Sequence, residues 1–143
     1  MAYAILAFDG NDPSRRAAAM DRHRAVTSRW AADGRMPFGT PLFTAEWVPS
    51  GSLMILDVPD MAGVDAYLAE EPFSVEGVWG ERRILPFRIA PLPYQRLPKP
   101  GDPVATTRTH TVAIAYDGTD ADAPARRQAA REAHIARMQP MAA

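Results

Sequence analysis

His23 is the residue in this chain best suited to move a proton, because imidazole titrates near neutrality and can give or take one at working pH. It lies on a helical stripe with Met20, Thr27 and Trp30, at spacings of three and four. The bland reading is a helix residue packed at the edge of a sheet. Arg15 and Arg16 follow the same pattern. They could neutralise an anionic ligand at the first helical turn, or simply form a solvated face. The three histidines, His23, His110 and His134, stand at no metal-ligand spacing, and neither H-x-x-x-H nor H-E-x-x-H occurs. With no cysteine, thiolate catalysis, disulfides and Cys-bound metal are excluded. The sequence holds no glycine-rich phosphate loop and no G-x-S-x-G. We therefore expect no metal and no cofactor. Trp30, Trp47 and Trp79 read as core and interface residues rather than base-stacking platforms.

The elements that position His23 follow from local signals. Ala2–Phe8 is a short apolar run closed by Asp9-Gly10-Asn11-Asp12, which predicts a buried strand. Pro13 or Ser14 opens a helix through Arg15–Ala32, and Asp33-Gly34 closes it. Arg35–Thr44 is an irregular strand broken by Gly39-Thr40-Pro41, as suits an edge. Pro49-Ser50-Gly51 reads as a turn, and Ser52–Val58 as the central strand of the sheet. Asp60 caps a short helix, Met61–Ala69, which Glu70-Glu71-Pro72-Phe73 breaks. Val78–Ile89 supplies the last strand. The order β-α-β-β-α-β predicts an α+β fold: an antiparallel split βαβ sheet of the ferredoxin-like kind, both helices on one face. The other face then calls for a partner, so a homodimer is expected.

Beyond this domain, 1–89, a stretch at 90–109 carries Pro91, Pro93, Pro98, Pro100 and Pro103 and reads as a stiff linker. The remainder, 110–143, repeats the opening of the chain. Tyr116-Asp117-Gly118 falls on Phe8-Asp9-Gly10 and Asp120 on Asp12. After three extra residues, Pro124 falls on Pro13, Arg126-Arg127 on Arg15-Arg16, and His134 on His23. The alternative is that two Ala/Arg-rich amphipathic helices merely look alike. His110–Tyr116 is expected as a strand and Pro124–Met138 as a helix. Such a pair cannot bury enough surface alone, so the tail is expected to dock on something already folded.

Charge and hydropathy bound the partners. The formal net charge of −1, from 16 basic and 17 acidic residues, gives no footprint for nucleic acid or an anionic membrane. No apolar run approaches the roughly 20 residues a membrane span needs. Ala2–Phe8 lacks a basic leader, so no signal peptide is expected. Together with the missing cysteines this points to a cytoplasmic protein.

At this point the segment Tyr3–Ile89 resembles the YCII-related (YciI-like) domain family. The features that carry the likeness are Phe8-Asp9 at the strand end, Arg16 and His23 on the helix, Gly39-Thr40-Pro41-Leu42, and Glu71-Pro72-Phe73 followed by Gly77-Val78. The resemblance implies a small ferredoxin-like dimer with an active site built on a histidine and an acid. Most of the family has no assigned reaction, and at least one relative is a dehydrochlorinase of chlorinated hydroxyquinols. Carried onto this chain, it implies His23 and Glu71 as the catalytic pair, with Arg16 and Phe73 at the substrate. Glu71 stands where aspartate is usual and adds a methylene. Phe73 stands where tyrosine is usual and lacks its hydroxyl. The resemblance implies a small-molecule ligand, with an oxygenated aromatic among the candidates. The rival readings are a non-catalytic binding or assembly module, and an inactive truncated tandem protein.

Overall fold

The computed structural model describes residues 2–88 and 110–142, and the chain divides into two units, Met1–Ile89 and Ala90–Ala143. The first unit runs β1 (Ala2–Asp9), α1 (Pro13–Ala32), β2 (Phe38–Phe43), β3 (Pro49–Asp57), α2 (Met61–Glu70), α3 (Pro72–Val75) and β4 (Trp79–Phe87). The four strands form one antiparallel sheet in the order β2-β3-β1-β4. This is the order of the split βαβ arrangement, with β1 and β3 inside and β2 and β4 at the edges.

Alternation along the strands decides which face meets the helices. Tyr3, Ile5 and Ala7 of β1 join Met54 and Leu56 of β3 in one buried cluster. The same cluster takes Ala19, Val26 and Trp30 from α1 and Val64 and Tyr67 from α2. Both helices thus pack on one face. Local chemistry sets their limits. The Asp12 side chain accepts from the Ser14 N–H at 3.1 Å, and Pro13 sits in the first turn, where its missing N–H costs nothing. Gly34, at φ +75°, takes the left-handed exit after α1.

The connection between β2 and β3 differs from the sequence reading. Gly51 is not a turn residue: it lies inside β3 and pairs with Phe8 of β1. A Cβ there would come within 2.3 Å of the Ala7 carbonyl oxygen, so the glycine serves the close approach of two strands. The hairpin between β2 and β3 turns earlier, where the Thr44 N–H donates to the Val48 carbonyl at 2.9 Å and Trp47 stands at φ +63°. Pro49 opens β3 opposite Phe43, at a register shift where the ladder does not need its N–H.

In the second unit, residues 110–119 carry no regular secondary structure, which corrects the strand expected at His110–Tyr116. Its Val112, Ile114 and Tyr116 alternate, but a strand exists only through a neighbour that takes its backbone N–H and C=O groups. Helix α4 (Ala123–Ala142) begins one residue before Pro124 and runs past the expected end at Met138, through Pro140. Its entry is tied by Arg126–Asp120 at 2.7 Å and Arg127–Asp117 at 2.6 Å. The proline-rich stretch 90–109 lies outside the described residues.

Candidate active site

The site begins with a proline. Pro72 disfavours the α region for the residue before it, so α2 ends at Glu70 and Glu71 turns to extended backbone at φ −76°, ψ 114°. The chain re-enters a helix at once as α3, and the Glu71 side chain caps it by accepting from the Phe73 N–H at 3.0 Å. The turn carries the carboxylate inward, to 0% exposure.

Three donors meet there. Besides Phe73 N–H, the Tyr67 hydroxyl donates to Glu71 Oε2 at 2.8 Å, and His23 Nδ1 lies 2.7 Å from Glu71 Oε1. Tyr67 precedes Glu71 by four residues, one helical turn, so both side chains face the core. Burial, and then the neighbouring Glu71 charge, push the Tyr67 phenol far above its ordinary range, so it stays a donor. A side chain that already accepts from the Phe73 N–H and the Tyr67 hydroxyl is an acceptor toward His23 as well. Nδ1 therefore carries the proton of that bond, and in the neutral form of the ring the lone pair lies on Nε2. Nε2 has no protein partner among the described residues. The His23 side chain is 17% exposed, against 0% for Glu71, so the imidazole stands between the buried acid and solvent.

Phe73 holds the ring from its flat side: the His23 and Phe73 centroids are 4.0 Å apart, with planes 5° from parallel. Two ion pairs bracket the dyad along α1. Arg22 grips Glu76 with both donors, at 3.0 and 2.7 Å, and Arg29 pairs with Glu70. Both are largely exposed and are worth little each, yet they fix α1 against the segment that bears Glu71.

Arg16 sits two turns before His23 on the same face of α1. It is buried, and its guanidinium points into the fold: Nη1 to Asp9 Oδ1 at 3.2 Å, Nη2 to the Gly51 carbonyl at 2.7 Å and to Ser52 Oγ at 3.2 Å. Its charge lies 4.8 Å from the Phe73 ring centre. The structure thus places Arg16 and Phe73 beneath the dyad, as the bed on which His23 rests. Burial pushes the Asp9 carboxyl up, against the pull of the Arg16 charge. Sequence reasoning missed Tyr67, Asp9 and Trp79. The four-residue step from Tyr67 to Glu71 was the available signal for the first. Among the described residues no three metal-binding side chains stand together, and no helix is long and apolar enough to cross a membrane.

Comparisons with known proteins bear on the fold and the family. The chain is similar in fold to 5-chloro-2-hydroxyhydroquinone dehydrochlorinase (TftG) from Burkholderia phenoliruptrix AC1100, solved in complex with 2,5-dihydroxybenzoquinone. The TM-score is 0.56 and the identity 18%, over 63% of this chain and 96% of that one. No curated protein matches by sequence. The family model of the YCII-related domain matches residues 1–88, and the chain belongs to that family.

Proposed function

We propose that the first unit is a small enzyme in which His23 exchanges a proton with a small, oxygenated cyclic molecule while Glu71 orients the imidazole. The observation that carries this reading is the 2.7 Å contact between His23 Nδ1 and a fully buried, three-donor carboxylate. Glu71 fixes the tautomer and stabilises the imidazolium that forms when Nε2 takes a proton. Arg16 and Phe73 support the ring, and the substrate meets Nε2. The substrate class is drawn from the similar dehydrochlorinase, whose name and bound quinone describe that protein. Removal of a proton and a leaving group from a hydroxylated ring is one reaction such a dyad supports. The reading includes a homodimer, which sedimentation of the intact chain tests.

The test is turnover of chlorinated and unchlorinated hydroxyquinols, followed by product chromatography and chloride release. His23→Ala should lower turnover by about 100-fold or more, as loss of a general acid–base does. Glu71→Gln should lower it by a smaller factor. Turnover that survives His23→Ala would reject the role. Binding without turnover in the wild type would favour the non-catalytic module.

A further inference from the structure

Trp79 carries the one buried side-chain donor or acceptor without a partner among the described residues: its indole Nε1 is closed off from solvent and bonded to nothing. The other buried indole behaves differently, since Trp30 Nε1 donates to Glu70. A buried N–H left empty is costly, so natural folds fill it with protein, water or ligand.

Its surroundings say what fits. Trp79 opens β4 and is the cross-strand partner of Asp9. Both side chains lie on the helix face: Asp9 reaches Arg16 of α1, and Trp79 belongs to the core cluster. The pair lies at a register shift of the β1–β4 ladder, between Phe8 and Asp9, where the strand is locally irregular. Asp9 uses Oδ1 on Arg16, and Oδ2 has no partner among the described residues. The Asp9 side chain is 13% exposed, whereas the indole Nε1 beside it is closed off. The indole also meets the Phe73 ring edge to face at 5.9 Å, and Phe73 stacks on His23 at 4.0 Å. A buried donor and a carboxylate oxygen, both unfilled among the described residues, therefore belong to residues paired across one ladder step, next to the bed of the proposed dyad.

We propose that Trp79 and Asp9 form the hydroxyl-binding subsite of this active site. The indole N–H donates to a ligand hydroxyl oxygen, and that hydroxyl donates to Asp9 Oδ2. A hydroxyl is the group that satisfies both at once, and a water molecule shares that chemistry. The pair sets which oxygenated molecule lies against His23, so the inference rests on the dyad reading above.

The three tryptophans give separable indole N–H signals in a nitrogen–proton correlation spectrum, and Trp79→Phe assigns the one that matters. Intact protein is titrated with hydroquinone and, separately, with its dimethyl ether, while the His23 ring signals are followed. Hydroquinone should move the Trp79 indole proton downfield together with the His23 signals, and Trp79→Phe should weaken its binding about tenfold, the worth of one hydrogen bond. The dimethyl ether should leave the Trp79 signal in place. If His23 responds to hydroquinone while Trp79 does not, the subsite is refuted and the dyad reading stands; an indole contact to exchanging water would then name its occupant. If neither responds, both readings fail for this ligand class.

Discussion

Glu71 is buried as few carboxylates are, and what makes that tolerable is the count of donors around it. Removing one leaves a buried acceptor short. Tyr67→Phe should therefore destabilise the first unit by about 1–3 kcal/mol, read as a lower denaturant midpoint at unchanged slope. An unchanged midpoint would mean the phenol contributes nothing. Asp9 supplies a pH signature. Its folded-state pKa is raised by burial, so the folded chain holds that proton more tightly than the unfolded one. The associated stability is present below the ordinary carboxylate pKa and is lost as pH rises through the raised value. Asp9→Asn should flatten stability against pH in that window, measured by thermal unfolding, and an identical slope in the two proteins would contradict it. His23 could be placed on an inward helix stripe from local signals, whereas Glu71 came only through the family resemblance; the structure brings the two side chains to 2.7 Å. Tyr67 and Trp79 were not legible, since an aromatic on a core face looks the same whether or not its polar atom is used.

The elements were legible where capping chemistry wrote their ends: Asp12-Pro13 and Gly34 around α1, Asp60 before α2, Pro72 after it. Gly51 was misread because a turn glycine and a close-approach glycine are the same letter. Only the β1–β3 register separates them. Gly51→Ala should cost about 1–3 kcal/mol, as a core overpacking against backbone that cannot yield, with hydrogen exchange accelerated in both Ala2–Asp9 and Pro49–Asp57. Unchanged protection in those strands would show that the approach is looser than described. The strand expected at His110–Tyr116 failed for a related reason: alternation states a preference, and a neighbour turns it into a strand.

Across the whole molecule, the two units share more than a pattern of letters. Arg126–Asp120 and Arg127–Asp117 stand at the positions aligned with Arg15–Asp12 and Arg16–Asp9, and α1 and α4 each span 20 residues. The recurrence supports an internal copy, which we propose for 110–142. The copy holds His134 at the place of His23, and among the described residues the buried acid Glu71 meets His23. His134→Ala should thus leave any turnover that His23→Ala abolishes unchanged, and a comparable loss in both would contradict the assignment. All three histidines of the intact chain report in one long-range nitrogen–proton spectrum of the imidazoles, and this tests the dyad most directly. In its neutral form His23 should appear as the Nδ1–H tautomer with a free Nε2, while the neutral forms of His110 and His134 show the ordinary mixture dominated by Nε2–H. A His23 ring protonated on Nε2, with Nδ1 bare, would mean that Glu71 does not hold it and that the proposed proton path does not exist.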